Sequence, residues 1–436
     1  MNLHTSAHTA APVWLLAGAA AASAAFAGVW HLGTASFWYD ESFSVNLSNY
    51  NWGAFLHEIT HEEGNQSGYF LLLKLWPFRG SEVEVRLLSV LLLALTAAVM
   101  VLLGVRLWDR WLGLAAGLAT ATTPFALQAG QEARGYALLM LASAGSTLAL
   151  VRATQGARWG WPLWAVTVGL MPYAHLYGLL IVAGQLPWAL RNAPWRRVAV
   201  PLLVGGVFAA PILLWALLHR DTTQISFLQP PGVGALRVLA TELTSHSSTL
   251  LLAILVFAVL GSAATLRRHT VGLLLPWLAL TPLVLLGVSR FGTPIYQDRY
   301  LAGATPALCL LLAYGVRFLP TGPVRLAGLV ALVLISLLAF RGHAGPLVHE
   351  DWRGAAAYIR SHEQPGDAVV GQPCIEGIGL GPYAVGVLPS PVSRACPSIS
   401  SVTRLWVVGR GLRQPVEGRM LLGSWEFTSV HVQLYG

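Results

Sequence analysis

The sequence predicts a polytopic α-helical membrane protein of about 11 transmembrane helices, ending in a small C-terminal extracytoplasmic α/β domain. Three observations carry this. Of the 436 residues, 55% are hydrophobic and only 11% charged, with a mean hydropathy of +0.60. Apolar runs near the ~20 residues that cross a bilayer recur to about residue 340. Arginines and acids, finally, fall into alternate connections between those runs.

The runs lie at roughly 12–32, 83–105, 111–128, 136–151, 161–178, 179–190, 198–218, 248–266, 271–289, 300–318 and 323–341. The first contains Ala25-Phe26-Ala27, which has the form of a signal-peptidase site. Met1 to Pro12 hold no Lys or Arg, however, and the run continues to about Leu32, so a retained first helix is expected. With the amino terminus inside, the inner connections hold Arg106 and Arg110, Arg152 and Arg158, Arg191, Arg196 and Arg197, Arg267 and Arg268, and Arg317 and Arg325. Of the acids before residue 342, only Asp109 falls on that side. The net charge of +8 is thereby explained by topology, and nucleic acid is not an expected partner.

Residues 1–341 are read as the transmembrane part, with a long first outer loop at 33–83. This loop opens on FWYDESF, where Asp40 and Glu41 follow Trp38 and Tyr39, themselves read as aromatic-belt anchors. NLSNYNWGAFLHEIT then reads as an amphipathic helix on the membrane, and GYFLLLKLWPF, which contains Tyr69, as an interfacial or re-entrant helix too short to span. Residues 342–436 read as the outer domain: DWRGAAAYIRSH as an amphipathic helix, and AVVG, RLWVVG and FTSVHVQLY as strands. Cys309 lies in an apolar helix as a packing residue, whereas Cys374 and Cys396 share the outer segment and are expected to form a disulfide.

Charge at the outer helix ends marks the candidate site. QAGQEARGYAL gathers Gln131, Glu132, Arg134 and Tyr136 at a helix start, and YQDRYLAG places Asp298, Arg299 and Tyr300 before the tenth helix. A guanidinium at a helix terminus suits a phosphate, and ions so near lipid point to function, with structural ion pairs as the plainer alternative. His175, between Tyr173 and Tyr177 in MPYAHLYGLL, is either a satisfied interfacial residue or part of a pocket. His57 and His61, four apart beside Glu62 and Glu63, are a weak alternative metal site.

WYDES, GYFLLLKLW, RLLSVLL, QEARGYAL and QDRYLAGATPAL, in that order, resemble the bacterial protein O-mannosyltransferase-like group of glycosyltransferase family 39, GT-C membrane glycosyltransferases related to the aminoarabinose transferases. The resemblance covers about residues 10–340, and DWRGAAAYIRSHEQPGDAVV is similar to the start of an outer domain that many members carry. It implies a sugar, mannose the best guess, carried on a polyprenyl phosphate. Transfer would take place with inversion at the outer face of a bacterial plasma membrane, onto a glycan, lipid or protein hydroxyl. Asp40 matches the family's catalytic acidic position. The chain departs from the pattern at GNQSGYF, where many members carry a proline pair.

The residues suggest the same chemistry without the resemblance. A carboxylate that draws the proton from an acceptor hydroxyl lowers the barrier, a role open to Asp40, with Glu41 as its partner or as the base itself. Arg134, Arg299 and Tyr300 would hold the donor phosphate, with Glu132, Tyr136, His175 and Tyr69 as substrate-pocket candidates. No cofactor is then required. A multi-pass lipid or glycan transporter is the rival expectation, though no inverted repeat or broken midplane helix is visible. A non-catalytic envelope-assembly protein would make Asp40 dispensable.

Overall fold

Prolines and polar residues decide where the apolar runs break. The computed structural model describes residues 12–219, 228–266, 270–342, 350–372, 374–383, 402–411 and 416–436. After α1 (Val13–Val29) the chain forms α2 (Tyr39–Asn49), stops at Tyr50, and resumes as α3 (Trp52–His57), capped by the Asn51 side chain on the Ala54 N–H at 2.9 Å. NLSNYNWGAFLHEIT, read above as one amphipathic helix, is thus divided at Tyr50. A π-helical turn (Glu58–Glu62) follows, then α4 (Ser67–Leu75), the interfacial segment, and α5 (Glu82–Leu107), capped by Ser81.

The third run is two helices, α6 (Arg110–Thr122) and α7 (Pro124–Gln131), because Pro124 lacks the N–H that would continue the ladder. α8 (Tyr136–Thr154), α9 (Gly160–Ala174), α10 (Gly178–Asn192) and α11 (Trp195–Leu218) succeed one another. Then come α12 (Val233–Thr244), α13 (Ser248–Leu266), α14 (Val271–Phe291), a 3₁₀ segment (Asp298–Ala304), α15 (Thr305–Val316) and α16 (Gly322–Gly342).

All eleven apolar runs are helical, but length and composition narrow the count of crossings. Among the described residues six helices are long and apolar enough to span, or seven if α12 and α13, bent by 94°, form one broken span. α1, α6, α9 and α10 are shorter than that measure requires. The chain is a multi-pass membrane protein.

Small residues let the central helices approach closely. Ala20, Ala24, Ala97 and Ala116 are fully buried where α1, α5 and α6 meet. A Cβ on Gly104 would lie 2.6 Å from the Gly113 Cα, so this α5–α6 crossing tolerates only glycine. Farther round the bundle, Trp277 Nε1 donates to Ser143 Oγ and to the Gly303 carbonyl, both at 2.9 Å, tying α14 to α8 and the 3₁₀ segment. At the end remote from α2, Arg317 pairs with Asp109 at 3.1 Å and Gln155 donates to the Arg106 carbonyl at 3.0 Å. The connections carrying Arg106, Asp109 and Arg317 thus lie together, away from FWYDESF.

Beyond α16, α17 (Trp352–His362) packs on a four-stranded sheet of order β1-β2-β4-β3, from β1 (Ala368–Gly371), β2 (Leu405–Gly409), β3 (Leu421–Phe427) and β4 (Val430–Tyr435). β1 and β2 are parallel and the other pairs antiparallel. FTSVHVQLY, read above as one strand, is split by a turn in which Ser429 takes φ 61°, and β3 precedes it. A 3₁₀ stretch, Cys374–Tyr383, lies between this domain and α2. The expected disulfide falls on Cys396, and on a Cys374 side chain, that lie outside the described residues.

Candidate active site

Two neighbouring carboxylates at the start of α2 meet opposite surroundings, because successive helical residues point about 100° apart. Glu41 is fully buried. Arg86, at the start of α5 and also fully buried, grips it with Nε to Oε1 at 2.8 Å and Nη2 to Oε2 at 2.6 Å. Oε1 further accepts the Ala133 N–H at 2.8 Å, and Oε2 the Trp38 N–H at 3.4 Å. The remaining Arg86 donors go to the carbonyls of Leu32, Ala35 and Ser36. Glu41 is therefore a joint that fastens the outer loop to α5 and to the QEARGY turn, with its lone pairs occupied by protein donors. Sequence reasoning missed Arg86; its only signal was a solitary arginine inside an apolar run.

Asp40 is the open partner. Its carboxylate is 27% exposed and lies 3.5 Å from Arg299 Nη1, itself 30% exposed. Among the described residues its side chain accepts no protein hydrogen bond, so its oxygens are available to a hydroxyl. Arg299 stacks over the Trp38 ring, 4.9 Å from its centroid, and donates from Nε to Gln297 Oε1 at 2.5 Å. Trp38, expected as a belt anchor, is instead buried beneath this guanidinium. Arg134 approaches from the other side. Its Nη1 lies 3.4 Å from the Asp40 carbonyl and 3.3 Å from Ser44 Oγ, and its plane faces Phe70.

The structure also shows how the Arg134 turn is held. Gln66 Oε1 accepts the Gly135 N–H at 2.8 Å, and Asn65 Oδ1 the Leu176 N–H at 3.2 Å. The GNQS stretch thus joins the two polar helix ends that carry Arg134 and His175. Gln66 has φ 65°, a left-handed conformation that the hydrogen bonds sustain.

A cleft of about 350 Å³ opens beside Asp40's partner, lined among others by Gln128, Glu132, Tyr136, Glu242, Asp298 and Arg299. Burial pushes Glu132, in the turn after α7, up to about 7, with the Glu41 charge adding to the effect. Glu242 was not singled out by sequence reasoning, since α12 carries no signal that it folds over the cleft. Behind the cleft, His175 is buried between Tyr177 and Tyr300, each with its ring 5.0 Å away, and Tyr136 at 6.3 Å. Its Nδ1 accepts the Tyr177 N–H at 3.3 Å.

Three expected residues stand apart. Tyr69 is fully buried and its hydroxyl meets Ser89 Oγ at 2.9 Å, which makes it a support for α4. His57 and His61 are exposed and stack on each other at 4.6 Å, with His61 Nδ1 beside Thr60 Oγ1 and the His57 carbonyl. Parallel rings do not converge on one ion, and among the described residues no three His, Cys, Asp or Glu side chains form a metal-binding group.

Comparison with known proteins follows the same lines. Residues 68–219 match the family model described as dolichyl-phosphate-mannose-protein mannosyltransferase. A search of curated protein sequences finds no match. Among solved structures, ArnT from Cupriavidus metallidurans in the apo state superposes with a TM-score of 0.62 at 13% identity, over 96% of this chain and 97% of that one. The same protein bound to undecaprenyl phosphate gives 0.63 at 12% identity, over the same shares. The Archaeoglobus fulgidus oligosaccharyltransferase with Zn and sulfate gives 0.55 at 13%, over 86% of this chain and 61% of that one. The buried frame, the open acid beside two arginines and these likenesses agree on the fold: the chain has the GT-C fold, as the resemblance in its sequence implies.

Proposed function

We propose that the protein transfers a sugar, mannose the best guess, from a polyprenyl phosphate to an acceptor hydroxyl at the outer face of a bacterial plasma membrane, inverting the anomeric carbon. The observation that carries this reading is Asp40: a half-open carboxylate, without protein hydrogen bonds among the described residues, beside Arg299 and Arg134. ArnT, which shares the fold over nearly its whole length, binds undecaprenyl phosphate, and this supports the donor class.

In the scheme, Asp40 takes the proton of the acceptor hydroxyl as its oxygen attacks the anomeric carbon. The bond from that carbon to the phosphate oxygen breaks on the opposite face, and polyprenyl phosphate leaves with the electron pair. Positioned bases contribute about 10² to 10⁴ in rate. The guanidiniums of Arg299 and Arg134 favour the phosphate as its charge grows, which stabilises the transition state more than the bound substrate. Arg299 also steers Asp40, because an ion pair at 3.5 Å that is partly exposed orients the carboxylate without saturating it. Tyr300 and His175 support the arginine from behind, and Tyr136 and Glu132 line the sugar side. The scheme requires no metal ion.

The test measures glycosyl transfer and donor binding on one Asp40→Asn protein. Lost transfer with donor binding retained supports the reading, and normal transfer refutes it. A transporter would lose substrate movement across vesicles without ever forming a glycosidic bond. Sidedness is checked by single cysteines at 364 and 155 with an impermeant reagent in intact cells, where labelling of the first alone is expected.

A further inference from the structure

The C-terminal domain reaches the opening N–H of α2 through a buried carboxylate. Glu350 Oε2 accepts the Tyr39 N–H at 2.7 Å and Trp352 Nε1 at 2.6 Å. Its Oε1 lies 3.3 Å from Arg410 Nη1, and its carbonyl accepts Ser36 Oγ at 2.7 Å. Arg410 in turn covers the Tyr39 ring at 4.3 Å from the centroid. The opening N–H groups of a helix have no partner within the helix. In α2 the Trp38 N–H is met locally by Glu41, but the Tyr39 N–H is met by a residue 311 positions away.

Tyr39 immediately precedes Asp40, so the direction of that N–H sets the rotation of the turn from which the Asp40 carboxylate projects. We propose that Glu350 is a positioning residue for the reaction, holding the first turn of α2 so that Asp40 stays aligned with Arg299 and the acceptor hydroxyl. The inference rests on Asp40 being the base. It also gives the C-terminal domain a part in the active site.

The placement is rigid from the domain side. Trp352, which shares Oε2, is fully buried in the α17–sheet core, so Glu350 conveys the position of a packed domain rather than of a mobile loop. A carboxylate is also the favoured group at a helix amino terminus, where it meets N–H donors and the positive end of the dipole. Two weaker or flanking contacts accompany it, Ser42 Oγ donating to the Gly379 carbonyl at 3.4 Å and the Phe37 N–H to the Tyr383 hydroxyl at 2.8 Å, and neither meets the Tyr39 N–H; the rest act elsewhere. Asn46 Nδ2 donates to the Ile378 carbonyl at 2.9 Å near the far end of α2, and Arg353 donates to the Thr34 carbonyl at 2.8 Å in the preceding loop.

The test is Glu350→Gln in the full-length protein, with transfer and binding of polyprenyl phosphate both measured. A displacement near 1 Å at a reacting group costs about 10²-fold, so kcat is expected to fall by roughly 10- to 100-fold while KM for the donor and lipid-phosphate binding stay within about twofold. Arg353→Gln, which loosens the same boundary without touching the first turn, should keep kcat. In an Asp40→Asn background, Glu350→Gln should cause no further loss, because the group it positions is gone.

Unchanged kcat in Glu350→Gln overturns the inference, as does an equal fall in Arg353→Gln or a matching loss of donor binding. If Glu350→Gln does not fold, Arg410→Gln replaces it. That variant removes the cation at Oε1 and should give a smaller fall in kcat with the same unchanged KM; normal kcat there likewise overturns the inference. The Asp40→Asn protein alone separates the two failures: normal transfer by it defeats the base assignment, whereas lost transfer by it with normal turnover in Glu350→Gln defeats only the positioning role.

Discussion

The two faces of α2 present the same functional group to opposite environments. On the inner face, Glu41 is enclosed with Arg86, and four protein donors meet its oxygens. On the outer face, Asp40 has one partly exposed ion pair and room for a ligand. What separates them is solvation rather than chemistry. A carboxylate whose lone pairs are all met in a closed site cannot take a proton from a substrate, whereas one with a single loose partner can. A structural joint and a candidate base can therefore be adjacent residues.

The comparison breaks most visibly at Asp40. Asp40→Asn should lower turnover by about 10² to 10⁴ with little change in the unfolding midpoint, read by transfer assays beside thermal unfolding in detergent. Glu41→Gln should do the reverse in kind. It leaves Arg86 buried without its counter-charge, which typically costs about 3 to 5 kcal/mol, and the loss should be seen first in the unfolding midpoint. A Glu41→Gln protein of normal stability would mean that the enclosed pair is not the frame.

Arg134→Lys and Arg299→Lys sharpen the outer face. Each keeps the charge and loses the planar fork, so donor use should weaken by about 1 to 3 kcal/mol, measured as kcat/KM for donor. If both variants consume donor normally, the phosphate is held elsewhere. Smallest is Tyr69→Phe, which removes the hydrogen bond to Ser89. About 0.5 to 1.5 kcal/mol of stability should be lost with transfer unchanged, and a selective loss of transfer would return Tyr69 to the substrate pocket.

Much of this was legible because charges are scarce in an apolar chain. Asp40, Glu132, Arg134 and Arg299 stood out against their surroundings, and the structure brings them to one end of the bundle. Helical runs were legible for the same reason, down to the short interfacial α4. What could not be read were pairings across distance. Nothing in the spacing of Glu41 and Arg86, 45 residues apart, distinguishes a buried joint from a second catalytic acid. Glu350 gave no sign at all, since its partner is a backbone N–H, which every residue but proline possesses. β3 was missed because its side chains alternate between exposed and half-buried and it contains Gly423, so its hydrophobic pattern is weak.

The dependence of α2 on residues from the far end of the chain has a consequence for biosynthesis. The ribosome makes α2 early, yet the groups that hold it at Tyr39, Ser42 and Asn46, namely Glu350 and the carbonyls of Gly379 and Ile378, belong to the last quarter of the polypeptide. Most of the helices can insert before those residues exist. The nascent chain then carries an unfinished α2 until its tail has docked, and sequence separations of this size are slow to close. On the proposed function, a chain halted before about residue 350 is expected to integrate into the bilayer yet stay inactive until the order of translation has supplied the groups that complete α2.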